Sequence, residues 1–186
     1  MSRYFYHYDK YAHYEKLDII GGTRDLKKHL ATPRLLIRRT GKTLCATYSD
    51  KKELIESTIY ILRSKKVNLK FLLGLINSKL FSFYLSKRLI TNVQGFPQVL
   101  MGQLEQLPIK KINPENSSEK SKHDSIIRQV DNLLQLNKDL RKVKLPNDKK
   151  SIENRISSVE SKVNEIVYEL YGINKKEIKL IENNIQ

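Results

Sequence analysis

Residues 151–172 read SIENRISSVESKVNEIVYELYG. Ile152, Ile156, Val159, Val163, Ile166 and Leu170 advance by alternating steps of four and three, the spacing of a heptad seam along one helix. Further back, Ile126, Val130, Leu133, Asn137 and Leu140 show the same stepping. Between the two runs lies Lys144-Leu145-Pro146-Asn147-Asp148, which does not continue a helix but readily turns one back. The pattern predicts an antiparallel helical hairpin with a coiled-coil-like interface over residues 124–186. Gly172 is expected to end the second helix and Asn174 to cap a short last one.

Upstream the period changes. Arg34-Leu35-Leu36-Ile37-Arg38 is a short apolar run after Pro33, and reads as a strand. Thr40-Gly41-Lys42 reads as a turn and Leu44-Cys45-Ala46-Thr47-Tyr48 as its hairpin partner. Thr58-Ile59-Tyr60-Ile61-Leu62, rich in β-branched residues, is a third strand. Leu69, Leu72, Leu73, Ile76, Leu80, Phe83 and Tyr84 then recur at helical spacing, so one amphipathic helix capped by Asn68 is expected to run to Lys87. Its polar face would carry Lys70, Asn77, Lys79 and Ser86, although Asn77 and Ser78 also suit a cap or a helix-to-sheet hydrogen bond. Thr91 to Gln98 reads as a loop or edge strand, and Leu104 to Ile109 as an extended closing segment. The fold class is therefore α+β followed by a helical hairpin, with residues 1–110 as the α/β domain, 111–123 as linker and 124–186 as arm.

The chain has 186 residues, 35 basic and 20 acidic, for a net charge of +15. Residues 1–110 hold 20 of the basic and 8 of the acidic side chains, and no acidic residue falls between Ser57 and Leu104. Such concentrated charge points to nucleic acid as the partner; a uniformly lysine-rich surface is the plainer alternative. Tyr4, Tyr6, Tyr8, Tyr11 and Tyr14 crowd the amino end, where packing on a core accounts for them better than base stacking. Gly21-Gly22 marks a turn without the spacing of a phosphate-binding loop. Cys45, the single cysteine, excludes an internal disulfide and a multi-thiolate zinc site. With no apolar run long enough for a span and no signal-like amino terminus, a cytoplasmic location and no membrane partner are expected.

Catalytic patterns are missing. Asn113-Pro114-Glu115-Asn116 lacks the second proline and the aromatic ring of an amino-methyltransferase loop. Glu160-Ser161-Lys162 and Glu177-Ile178-Lys179 spell a nuclease Glu-x-Lys but sit in helical text. The four histidines are scattered. The sequence is expected to be non-catalytic and to hold no metal or cofactor.

Pro33-Arg34-Leu35-Leu36-Ile37-Arg38-Arg39 with Cys45-Ala46-Thr47-Tyr48-Ser49-Asp50, then Leu72-Leu73-Gly74-Leu75-Ile76-Asn77-Ser78-Lys79, the closing Leu104 to Ile109, and Val167-Tyr168-Glu169-Leu170-Tyr171-Gly172 resemble the TaqI-like C-terminal specificity domain. The resemblance extends from about Tyr4 to Ile181. It implies a target recognition domain of the kind found in type IIG restriction-modification enzymes and adenine-specific DNA methyltransferases, similar also to the recognition domains of type I specificity subunits. S-adenosylmethionine and Mg would belong to the parent enzyme's other domains. The chain departs from the family in lacking the catalytic parts, which implies a fragment or a free-standing subunit, and in having Lys110 where a second proline is frequent.

A domain that reads duplex DNA needs cations on phosphates and forked or amide side chains on base edges. The phosphate candidates are Lys42, Lys65, Lys66, Lys79, Lys87 and Arg88. The base-reading candidates are Arg38, Arg39, Asn92, Gln94 and Gln98. The expected partners are double-stranded DNA and a methyltransferase or nuclease module in cis or in trans, with a second copy as another companion for the hairpin. Two readings from other classes stand beside this one: a coiled-coil dimerisation module, and an RNA-binding domain using the amino-terminal tyrosines.

Overall fold

Arg34–Arg38 forms β1, Ala46–Ser49 β2 and Ile59–Leu62 β3 in a computed structural model that describes residues 1–7, 26–41, 43–89 and 98–185. The strands make one antiparallel sheet in the order β2-β1-β3, with Leu36 opposite Thr47 on one side and Ile61 on the other. Leu35, Leu36 and Ile37 are all buried, because the middle strand is covered on both faces. On one face Leu35 and Ile37 pack into the main core. On the other the Arg34 guanidinium, fully buried, donates to the carbonyls of Lys51 and Glu53 beside the Glu53 carboxylate, which also receives the Tyr6 hydroxyl. A short helix, α1 (Leu26–Leu30), places His29 to accept the Ile55 amide.

The helix after β3 is not continuous. It forms as α2 (Leu69–Asn77) and α3 (Lys79–Tyr84), separated by Ser78 in an extended conformation (ψ 154°), and passes into a π-helical turn, Leu85–Leu89. The expected cap is present: the Asn68 side chain accepts the Lys70 and Phe71 amides. The break was hidden because the apolar rhythm survives it, with Phe81 and Leu85 still reaching the core. What stabilises the interruption is polar: Ser78 Oγ accepts from the Phe81 amide and Asn164 Oδ1 from the Lys79 amide at 2.8 Å, so the donors freed at the break find partners.

Asn77 correspondingly does not lie on a solvated face. It is 3% exposed, and its amide clasps the backbone of Ala46, accepting from its N–H at 2.8 Å and donating to its C=O at 3.0 Å. This pair joins the end of α2 to the start of β2. Asn77→Leu strips the Ala46 N–H of its acceptor in a buried setting, and is expected to destabilise the fold by about 1–3 kcal/mol; a urea midpoint within error of wild type would refute that role.

Met101–Glu105 forms a short helix, α4, so the closing segment is extended only after it. The hairpin follows as α5 (Ser117–Lys142), started by Asn116, and α6 (Pro146–Tyr171), with Pro146 as its first residue rather than in the break before it. Ile126, Val130 and Leu133 are buried as the stepping predicts, but the next seam position is taken by Leu136, while Asn137 is half-buried and turns its amide onto the Leu133 carbonyl. Gly172 ends α6 with φ 66°, and Asn174 caps α7 (Lys175–Asn184) in a reciprocal box with Glu177.

The hairpin is fused to the sheet domain through α2. Gly74 lets α5 approach so closely that a Cβ there would stand 2.5 Å from Ile126 Cγ2. Lys110 adds a second tie. Its backbone N–H donates to the Tyr171 hydroxyl at 3.0 Å, the hydroxyl donates on to the Pro108 carbonyl at 2.8 Å, and the ammonium reaches the Leu170 carbonyl and Glu119. A proline at 110 has no N–H to give.

Candidate nucleic-acid interface

The sheet has two ends, and the cationic side chains divide between them. At the end where β1 stops and β3 starts, backbone bonds gather three of the sequence-selected residues. The Arg39 amide donates to Thr58 O at 3.0 Å, the Val99 amide donates to Arg39 O at 2.7 Å, and Thr40 bridges to Gln98. Arg38, Arg39 and Gln98 thus stand together, Gln98 exposed and the arginines half-buried.

Arg38 ends β1 and Arg39 lies in the bend that follows, and the two arginines are held differently. Arg38 donates its Nε to the Thr40 carbonyl at 2.7 Å and lies against Gly41, whose φ of 126° few side chains tolerate. With Nε tethered, the two terminal nitrogens have no hydrogen-bond partner among the described residues. Arg39 stacks over the Tyr60 ring at 5.1 Å and donates Nη1 to Ser57 O at 2.8 Å. Tyr60 is itself fixed by its hydroxyl on Val99 O. Leu100 and Met101, both exposed, follow directly in the chain. Asn92, Gln94 and Lys42 lie outside the described residues.

Lys65 and Lys66 sit at the other end of the sheet, after β3, where Ser64 Oγ accepts the Lys66 and Val67 amides. With Lys70, Tyr48 and Ile127 they border a surface groove of about 410 Å³. Lys70 is already paired with Asp131. Lys79 leans toward α7 and pairs with Glu182, which also accepts from the Tyr168 hydroxyl. Lys87 and Arg88 are exposed on the π-helical turn, Lys87 over the Phe83 ring. The eight candidates among the described residues therefore do not form one surface.

Beside the arginine end runs an element that residue type alone assigned to packing. The Tyr4 amide donates to Ala46 O at 3.0 Å, and Arg3 Nε to Leu44 O at 3.4 Å. Tyr4 is buried, and burial first and the Glu160 carboxylate second push its phenol well above the ordinary tyrosine range. It therefore stays a neutral core residue. Burial likewise raises the thiol of Cys45, which suits a small buried hydrophobe. Glu160 and Lys162 fall within α6, and Glu177 and Lys179 within α7. Among the described residues no three His, Cys, Asp or Glu side chains cluster as metal ligands would, and no helix is long and apolar enough to cross a membrane.

A small sheet thus carries two tethered arginines at one end of its middle strand, and a long helical hairpin packs against it through α2. Residues 1–109, more than half of the chain, match the model of the TaqI-like C-terminal specificity domain, and the chain belongs to that family. The membership supports a part in DNA target specificity in restriction-modification, a task for which such domains are generally not the catalyst. No curated protein matches the chain.

Proposed function

We propose that the chain binds duplex DNA sequence-specifically, as the target recognition domain of a type IIG-like restriction-modification enzyme or an adenine-specific DNA methyltransferase whose catalytic module acts in cis or in trans. The observation that carries this reading is the gathering of Arg38, Arg39 and Gln98 at one end of the sheet in a family of specificity domains. Arginine forks onto guanine O6 and N7, and a carboxamide onto adenine N6 and N7. Asn92 and Gln94 precede Gln98 in the chain and supply further amides of that kind. Lys42, Lys65, Lys66, Lys79, Lys87 and Arg88 remain phosphate candidates, with Lys42 next in sequence to the turn beside Arg38.

Selection from a randomised duplex pool, read by sequencing, tests the proposal. A short enriched motif is the expected result. Binding that is salt-sensitive but enriches no motif would reduce the domain to a basic docking element, and absence of binding would overturn the reading.

A further inference from the structure

The carboxy-terminal third of the chain is nearly neutral overall, but its charge is unevenly placed. Residues 111–137 hold four basic and four acidic side chains, and residues 156–186 four and five. Residues 138–155, the turn of the hairpin with the helix ends that enter and leave it, hold seven basic and three acidic. All seven cations, Lys138, Arg141, Lys142, Lys144, Lys149, Lys150 and Arg155, are exposed. A general surplus of lysine does not produce this, since the flanking stretches of the same helices are balanced.

Stability of the hairpin accounts for only part of it. Arg141 and Lys142 complete the carboxyl end of α5, where the helix dipole favours cations, and Lys142 faces Asp139 at 3.8 Å. Lys149 and Lys150 stand near the amino end of α6, where the same dipole disfavours them. Among the described residues Lys138, Lys144, Lys149, Lys150 and Arg155 form no ion pair.

The location matters as much as the charge. The Arg141 guanidinium lies 4.9 Å from the centre of the Phe5 ring. Phe5 follows Tyr4, whose amide is bonded to Ala46, and Ala46 pairs with Ile37 next to Arg38. The end of α5 therefore lies near the arginine end of the sheet. From Ile126, where α2 packs, to Lys142, where α5 ends, is about 24 Å of helix, comparable with about seven base-pair steps of duplex.

We infer that the turn of the helical hairpin is a second DNA contact, a cationic clamp on the phosphate backbone beside the sequence read by the sheet. This rests on the reading of the chain as a DNA-binding domain and assigns the hairpin a direct part in it. The clamp supplies affinity and register without base preference.

The test is the salt dependence of binding by the full chain to a duplex carrying the selected motif. In the triple variant Lys144→Gln/Lys149→Gln/Lys150→Gln, the slope of log K against log salt should fall by about 0.9 for each phosphate left without its cation, about 2.7 in all. The motif should remain the same. The matching Lys→Arg triple variant should keep the wild-type slope, and trimming the flanking duplex should weaken the wild type but not the glutamine variant. Far-ultraviolet circular dichroism checks that the helices persist. An unchanged slope with wild-type DNA binding intact would overturn the clamp and leave the recognition reading standing. Loss of the motif itself in the variant would also overturn it, since the hairpin would then be reading bases. A wild type that binds no DNA would overturn both.

Discussion

Gly74→Val is expected to destabilise the protein by about 3 kcal/mol or more, lowering its melting temperature by roughly 10 °C in a chain of this size. The hydrogen of Gly74 faces two fully buried side chains of α5, and a Cβ in its place would meet Ile126 Cγ2 at 2.5 Å and Val130 Cγ2 at 3.2 Å. These are branch methyls close to their own backbone, so they move only if α5 moves. Gly74→Ala gains about 0.5–1 kcal/mol of backbone entropy in a helix, yet the overpacking term of about 1–3 kcal/mol should outweigh it. Ile126→Leu removes the offending Cγ2. The double variant Gly74→Ala/Ile126→Leu should therefore be more stable than the sum of its single changes, by about 1 kcal/mol of coupling. Urea titration reads all of these. A Gly74→Val midpoint indistinguishable from wild type would mean that α2 and α5 are not packed as described.

The same packing shows what sequence can and cannot disclose. The hairpin was legible because its signal is local: period, turn and caps are each written within a few residues, and Ile126, Val130, Leu133, Val163 and Leu170 are buried as their spacing predicts. The three strands were legible for the same reason. Gly74 looked like any glycine in helical text, because its reason for being glycine is fifty residues away on α5. The break at Ser78 was equally hidden, since the group that stabilises it is Asn164 on α6. Of the candidate site, residue type was legible and placement was not. Residue type picked out Arg38, Arg39 and Gln98, and the structure brings them together, but type alone also picked out Lys65 and Lys66, which the antiparallel course of β3 carries to the far end of the sheet. The cations around the hairpin turn are not legible in the net charge of the carboxy-terminal region, which is nearly neutral, because what distinguishes them is their placement around the turn.

Among the described base-reading candidates Arg38 should matter most, because its Nε is tethered while its terminal nitrogens have no partner among the described residues. Thr40 O holds Nε at 2.7 Å, and the bare Cα of Gly41 leaves room for the guanidinium, which a Cβ would crowd at 2.8 Å from Nη2. A tethered arginine loses little further entropy on docking, so its two terminal nitrogens can direct their bonds to discriminating a guanine. Arg38→Ala should weaken binding to the selected motif by about 1–3 kcal/mol, roughly five- to 150-fold, and relax preference at one position only. Arg38→Lys keeps the charge but not the fork, so it should preserve the salt slope while losing the discrimination. Gly41→Ala should reproduce part of the Arg38→Ala effect without removing a candidate contact, both by crowding the guanidinium and by straining a turn whose φ of 126° suits glycine. Lys65→Gln/Lys66→Gln, at the opposite end of the sheet, should leave the preferred motif unchanged. Repeating the pool selection on these four variants decides the matter. A motif that survives Arg38→Ala at every position would remove Arg38 from the reading surface and shift base recognition to Arg39, Gln98 and the amides that precede it in the chain.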